Sequence, residues 1–466
     1  MAVAMLIPAL SDWRDGNSDW RVFVKASIFT GVLCGLIVTA TRNQEVRFTP
    51  RLGFLLTASV WFTAALIGSV PFYFSELEIT FAGAMFEATS GVTTTGATVI
   101  SGLDDLPRGI LLWRSILCWL GGVGFVGLAL LLLPSLRVGG IQLLHMESSD
   151  KSEKILPRVN QIAAGIITAY CGLTALCVMA YFLAGMGIFD AVNHGMTTVA
   201  TAGFSTHDAS LGFYAHNQAI LVTSTIFMIL SALPFVLYIK AVMPQRMSSL
   251  VDPQVTLFFV LVIVCSFFLA VGLRLETGTP FGTALITASF NFVSVITTTG
   301  FASEDYQLWG SEAIGVFFLA TFVGGCAGST SGGIKMNRLI ILWRIAQANL
   351  SRLIMPHVVV KLRYGASEIP NELAQTTMLY IFLYMASLII GAMLLSFFDL
   401  ELGTAFTGAL TALSNVGPGF GETIGPVGNF STLSDNALWV LSYLMLTGRL
   451  EIVTVVILFT RAFWAR

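Results

Sequence analysis

Nine mostly apolar stretches of about 20 or more residues run through this chain of 466, at roughly 23–41, 53–74, 109–134, 159–184, 216–240, 254–273, 310–345 (interrupted), 373–398 and 436–460. About 20 apolar residues in a helix span the hydrocarbon core of a bilayer. Only 11% of the residues are charged, against about a quarter in soluble domains, so the chain could not cover a surface facing water. The expected fold is an all-α integral membrane protein, which excludes a water-soluble enzyme. A formal net charge of −2 offers no basic face for nucleic acid. The six cysteines stand singly in apolar stretches and read as small buried hydrophobes. Residues 1–10 lack a basic leader and do not read as a signal peptide.

Four shorter apolar stretches, 79–90, 187–199, 281–296 and 402–414, are too short to span, and each runs into a turn rich in Gly and Thr or Asn. Such a segment reads as re-entrant, because non-helical backbone at membrane depth is tolerated only inside protein or along an aqueous path. Basic residues set the orientation. Arg42, Arg47, Arg51, Arg137, Lys151, Lys154, Arg158, Lys240, Arg246, Lys335, Arg338, Arg344, Arg352, Lys361, Arg363, Arg461 and Arg466 fall in one set of connections, which places that set and the C-terminus in the cytoplasm. The opposite set carries mainly acids, among them Glu76, Asp104, Asp208, Glu304 and Asp435. The short helices therefore enter from outside.

The turns align. Thr93-Thr94-Thr95-Gly96, Ala200-Thr201-Ala202-Gly203, Thr297-Thr298-Thr299-Gly300 and Ser414-Asn415-Val416-Gly417 each follow a short helix, and the glycines lie 107, 97 and 117 residues apart. The unit is span, short helix, turn, span. Four copies predict approximate four-fold symmetry about one axis. The predicted division is an N-terminal helical region at 1–52, then pore repeats at 53–155, 156–250, 251–365 and 366–466. Four helix C-termini meeting at mid-membrane make a negative focus. Thr/Gly turns would add rings of carbonyls that replace the water around an ion. With no acid in the turns, neutral carbonyls suit a large monovalent cation better than a divalent one.

These motifs carry a resemblance. The chain resembles, over nearly its whole length, the membrane subunit of Trk-type potassium uptake systems in the Trk/Ktr/HKT superfamily. The marks are Thr93-Thr94-Thr95-Gly96-Ala97-Thr98-Val99, Gly203-Phe204-Ser205-Thr206-His207-Asp208, Gly324-Gly325-Cys326-Ala327-Gly328-Ser329-Thr330, Asn415-Val416-Gly417-Pro418-Gly419 and Gly448-Arg449-Leu450-Glu451-Ile452. The resemblance implies a K⁺ filter whose coordinating carbonyls belong to Thr94, Thr95 and Gly96; Thr201, Ala202 and Gly203; Thr298, Thr299 and Gly300; and Asn415, Val416 and Gly417. It implies K⁺ preference from glycine at the filter position of all four repeats, where serine in the first repeat goes with Na⁺ tolerance in plant relatives. It further implies a lipid-embedded homodimer with one pore per subunit in the inner membrane, and a cytosolic ring of nucleotide-binding (TrkA-like) regulatory subunits. No cofactor is expected beyond K⁺ as cargo. Relatives carry two full helices before the first repeat, and residues 1–10 supply half a helix at best.

The second span of repeat three contains Gly324, Gly325, Gly328, Gly332 and Gly333, with Ser329 among them. Glycine costs roughly 1 kcal/mol each in a helix, so the span should break over 324–334, below the filter. Lys335 follows Ile334 and no Ser or Thr follows it, so the segment does not match a phosphate-binding loop. A break for close packing is one reading. A movable constriction is the preferred one, and the resemblance supports it as a gate. Arg449 falls about mid-helix in the last span. It reads either as half of a buried salt bridge or as a cation under the filter, hydrogen-bonded to carbonyls of the Gly-rich loop. Glu451, two positions on, would face another way. Glu87 reads as an acceptor behind the filter with Arg114 as a possible partner, Asp190 as a first-turn acid, and His207 and Asp208 as lining an outer vestibule.

One charge moving inward releases about 2.3 kcal/mol per 100 mV, so membrane potential alone can drive uptake. The expected function is K⁺ uptake through a gated carbonyl-lined filter. A Na⁺- or H⁺-coupled K⁺ symporter on the same scaffold is the alternative. An intramembrane enzyme would need a nucleophile or metal constellation, and the sequence presents none.

Overall fold

The computed structural model describes residues 1–42, 49–131, 155–242, 252–365 and 367–465. Arg47, Arg137, Lys151, Lys154, Arg246 and Arg466, used above for orientation, lie outside the described residues, as do the ends of the 109–134 span and of the first two predicted repeats.

Two N-terminal helices, α1 (Leu6–Asp15) and α2 (Trp20–Thr41), precede a motif that recurs four times. The first unit is α3 (Pro50–Phe74), α4 (Phe81–Val92) and α5 (Arg108–Leu131). The second is α6 (Ile155–Leu183), α7 (Ile188–Val199), α8 (Gln218–Ser231) and α9 (Phe235–Val242). The third is α10 (Pro253–Thr277), α11 (Phe281–Ile296), α12 (Ser311–Phe322) and α13 (Met336–Ile354). A two-residue hairpin, Arg363–Tyr364 with Ser367–Glu368, leads into the fourth. That unit is α14 (Asn371–Phe397), α15 (Leu402–Ser414), α16 (Asp435–Arg449) and α17 (Ile452–Val456).

The starts follow from capping chemistry. Thr49 and Asp252 accept from backbone N–H groups of the first turn, each followed by a proline, whose missing N–H would be unpaired there in any case. The Thr80 hydroxyl accepts from Gly83 N at 3.1 Å and so caps the short helix α4. Among the described residues, five helices are long and apolar enough to cross a membrane alone, namely Trp20–Thr41, Arg51–Phe74, Ala163–Leu183, Pro253–Thr277 and Asn371–Phe397. Their outward faces carry exposed Phe29, Ile263, Phe268 and Phe382, as expected where lipid rather than water is the neighbour. One apolar core joins units one and four, a second joins two and three, and the short helices are buried between them.

Two expected spans are broken. The stretch 216–240 divides at Ala232-Leu233-Pro234 into α8 and α9. Proline has no N–H for the ladder and disfavours helix in the residue before it. The stretch 436–460 bends by 113° between α16 and α17. Arg449 therefore ends a helix instead of lying in the middle of one.

Candidate functional site

Each short helix ends in the same way. Thr94, Thr201, Thr298 and Asn415 have φ of 55°, 52°, 56° and 55°, and glycines two residues on have φ of 86°, 70°, 86° and 110°. Left-handed backbone is unusual for a non-glycine residue, and most of all for a β-branched one. Here it occurs at four equivalent positions.

The turn closes with two bonds. The N–H groups of Thr95, Ala202, Thr299 and Val416 reach back to Ser90, Thr197, Ser294 and Thr411 carbonyls at 2.8, 2.9, 2.8 and 3.1 Å. Those of Thr94, Thr201, Thr298 and Asn415 bond Gly91, Thr198, Val295 and Ala412 carbonyls at 3.0, 3.1, 2.9 and 3.3 Å. This is the Schellman pattern of helix ends. Two carbonyls of each helix end are thus satisfied, while the helix dipole still points its negative end inward.

The four turns form a closed ring. A Cβ on Gly96 would overlap the Ala202 carbonyl oxygen, one on Gly203 the Thr299 oxygen, and one on Gly300 the Val416 oxygen. One on Gly417 would come within 2.8 Å of the Thr95 oxygen. Each unit thus abuts the next, and the fourth returns to the first. Among the described residues, none of the twelve carbonyl oxygens of residues 94–96, 201–203, 298–300 and 415–417 accepts a backbone hydrogen bond. Buried carbonyls left without donors are costly, and a ring of them is an array of acceptors for a dehydrated cation.

Side chains stiffen the ring. The hydroxyls of Thr93 and Thr95 pair at 2.7 Å, as do those of Thr297 and Thr299. The Asn415 amide donates to Thr95 Oγ1 at 3.0 Å and to the Met445 carbonyl at 2.9 Å. Behind the ring, the buried Glu87 carboxylate accepts from Arg114 Nε at 2.7 Å and from Val99 N at 3.0 Å. Arg114 also donates to the Ser205 carbonyl at 2.8 Å.

The Gly-rich segment sits against the ring. Gly324 N bonds the Ile334 carbonyl at 2.9 Å and Ile334 N the Phe322 carbonyl at 3.0 Å, which pinches the segment into a loop between α12 and α13. Broken α8–α9 receives it, with Cys326 N on the Ala232 carbonyl at 3.0 Å and Phe235 N on the Gly328 carbonyl at 2.9 Å. The Thr330 hydroxyl reaches the Val199 and Ser231 carbonyls, each at 3.2 Å. Ser329 is fully buried and donates to the Cys326 carbonyl at 2.7 Å. Gly332 N donates to Thr298 Oγ1 at 2.6 Å. A side chain at 332 would overlap the Ser414 carbonyl oxygen. Arg449, 1% exposed, donates from Nη1 to the Thr330 carbonyl at 2.7 Å and lies 4.3 Å over the Phe125 ring. Among the described residues, its Nε and Nη2 have no hydrogen-bond partner.

The sequence reading missed three features: the contact of Gly332 with Thr298, the Pro234 break that cradles the loop, and the partly buried pair of Arg338 with Glu451. Only Pro234 left a local signal.

The outer mouth is polar. His207 pairs through Nδ1 with Asp104 and lies 3.7 Å from Asp190 through Nε2. The Asp208 carboxylate accepts from Leu103 N at 3.0 Å. Burial alone would lower the His207 pKa, but the Asp190 and Asp104 carboxylates outweigh it and raise the imidazole above its ordinary value. The His207 hydrogen bond in turn lowers Asp104. Among the described residues no group of three or more His, Cys, Asp or Glu is arranged to hold a metal.

Four equivalent helix ends close into one ring of unpaired carbonyls inside a mostly helical chain with apolar helices long enough to cross a membrane, and that fold defines an integral membrane protein built of four repeats. The chain belongs to the TrkH family of cation transport proteins, whose family model matches residues 20–465. It is 41% identical to the Trk system potassium uptake protein TrkI of Halomonas elongata, over 100% of this chain and 94% of that one. It is 33% identical to the Trk system potassium uptake protein TrkH of Escherichia coli K12, over 99% and 95%. The crystal structure of the potassium transporter TrkH from Vibrio parahaemolyticus superposes with a TM-score of 0.89 at 33% identity, covering 100% of this chain and 96% of that one.

Proposed function

We propose that this protein carries K⁺ inward across the cytoplasmic membrane, through a filter formed by the carbonyls of residues 94–96, 201–203, 298–300 and 415–417. The observation that carries the reading is the closed ring of glycines and unpaired carbonyls, together with relatives named as potassium uptake proteins. K⁺ is the cargo. Membrane potential supplies the drive, at about 2.3 kcal/mol per charge per 100 mV.

The loop 324–334 with Arg449 forms the gate in this reading. The loop lies against Thr298, and the charge on Arg449 is only partly offset by its one carbonyl and the Phe125 ring. A cation so placed raises the barrier to another cation. Gate opening would free the loop from the Thr298 hydroxyl and carry Arg449 off the pore axis. The working units are the four repeats at 53–155, 156–250, 251–365 and 366–466, after the N-terminal region 1–52. The C-terminus lies in the cytoplasm. The protein acts as a homodimer under the control of a cytosolic nucleotide-binding subunit.

The test is flux of Rb⁺, Na⁺ and Cs⁺ into liposomes holding the protein alone. Rb⁺ should enter, Na⁺ should be strongly rejected, and the current should need no Na⁺ or proton gradient. Equal entry of Na⁺ would refute the K⁺ assignment, and saturable flux that requires Na⁺ would favour the coupled symporter.

A further inference from the structure

Arg338 sits in the first turn of α13, with Lys335 as its N-cap and no acid in that turn. A helix N-terminus is the positive end, so two cations there are unfavourable. Neither can be left buried without an external partner. Arg338, 6% exposed, forms an ion pair with Glu451 and lies 3.7 Å over the Tyr380 ring of α14. Lys335 donates to the Ser331 carbonyl and lies 5.5 Å from the Phe125 ring, which also carries Arg449.

Glu451 is unusual in its own backbone. Its φ is 60° and ψ 107°, a region that L residues rarely occupy and that persists only where the surroundings enforce it. It belongs to neither helix. Leu450 N closes α16 on Leu446 at 3.0 Å, and Thr454 N opens α17 on Glu451 at 2.7 Å. In a continuous helix, residues two apart face different ways. The 113° bend removes that restriction. Arg449 reaches the loop at Thr330, while Glu451 holds the root of the same loop through Arg338. One strained corner therefore grips both parts of the loop.

We infer that Glu451 is a positioning residue of the gate: its carboxylate ties the root of the loop to the bend and thereby fixes where Arg449 meets Thr330. The inference rests on the reading of 324–334 as the gate. With the carboxylate neutralised, Arg338 loses its counter-charge, the strained corner loses what holds it, and Arg449 and the loop part.

The experiment uses the full chain in liposomes, with matched protein per vesicle. The variants are Glu451→Gln, Arg449→Ala and the reversed pair Arg338→Glu with Glu451→Arg. Rb⁺ flux is measured beside the rate at which N-ethylmaleimide alkylates Cys326, a loop thiol with 0% exposure, resolved by peptide mass spectrometry. Glu451→Gln should raise both several-fold and leave the Rb⁺/Na⁺ ratio unchanged, and the reversed pair should return both towards the parent. A purely structural role would lower yield without exposing Cys326. Parental flux and alkylation in Glu451→Gln, with flux raised in Arg449→Ala, would overturn the inference and leave the gate standing. Parental values in both single variants would overturn the gate as well. If Glu451→Gln does not assemble, the reversed pair decides: parental behaviour supports the inference, and failure to assemble or raised flux overturns it.

Discussion

The carboxylate of Glu87 and the guanidinium of Arg114 meet at 2.7 Å beside the first of the four turns, with neither side chain more than 1% exposed. Glu87 also holds Val99 N, and Arg114 holds the Ser205 carbonyl, so the pair staples the chain just past the turns at 94–96 and 201–203, the first two segments of the proposed filter. Removing one partner of a buried pair costs roughly 3–5 kcal/mol, because the other charge is left uncompensated. Glu87→Gln should lower the melting temperature of the purified protein and reduce Rb⁺/Na⁺ discrimination. Parental values of both would remove the pair from the account of the filter.

Gly96→Ser places a side chain at φ 86° and against the Ala202 carbonyl oxygen. The backbone strain alone is about 1–3 kcal/mol. One quarter of the ring must spread, and a wider or tilted carbonyl set discriminates less well between ions. Na⁺ flux should rise relative to Rb⁺ in liposomes; an unchanged ratio would mean that this glycine does not set selectivity.

Arg449→Ala removes a buried charge that is bonded to the Thr330 carbonyl, beneath the proposed filter. Two unit charges some 8 Å apart at an effective dielectric of about 20 interact by roughly 2 kcal/mol, about thirtyfold in rate. Rb⁺ flux should rise towards that limit without altered selectivity. Unchanged or lower flux at equal incorporation would assign Arg449 a structural role instead.

Thr298→Val deletes the acceptor of Gly332 N and keeps the shape of the side chain. An orphaned buried N–H costs about 1–3 kcal/mol, here charged against the seated loop. Flux should increase more in Thr298→Val than in Thr201→Val, whose hydroxyl, among the described residues, serves only the neighbouring Ala200 carbonyl. Equal effects in the two variants would deny a specific link between filter and loop.

At the outer mouth, His207 faces Asp104, Asp190, Tyr214 and His194. Its pKa is raised, so its contribution is full below the ordinary value of 6.5 and is lost as pH rises through the folded value. Asp104 is lowered, so its share is full above 3.8 and lost as pH falls through its own folded value. The pair is therefore strongest between these limits. Asp104 is half exposed, which holds the gain to about 1 kcal/mol or less. The stability difference between the parent and His207→Gln should shrink on going from pH 6 to pH 9; a difference that is flat with pH would show that the imidazole is not charged there.

The helical course was readable because its signals are local. The short helices expected at 281–296 and 402–414 coincide with Phe281–Ile296 and Leu402–Ser414, and those expected at 79–90 and 187–199 lie within two residues of Phe81–Val92 and Ile188–Val199. Length against apolarity decides such elements. The break at Pro234 had a signal in its proline, but apolar residues on both sides disguised it as one span. The bend after Arg449 had only a weak signal, the glycine at 448: Leu450 and Glu451 are ordinary helix formers, and the partner of Glu451 at the bend, Arg338, lies 113 residues away in the chain. As its spacing predicts, Glu451 does not face Arg449; it pairs with Arg338 instead, a partner no local pattern reveals. The approach of Gly332 to Thr298 joins positions 34 apart and leaves no trace in either neighbourhood.

Because a single polypeptide furnishes all four quadrants, they need not match, and they do not: three place threonine at the left-handed position and the last places asparagine. A pore assembled from identical subunits would repeat any substitution four times over. Here each lesion falls on one side only, so, on the proposed function, ion preference can drift by quarter steps and one face can hold a barrier while the other three keep their original work.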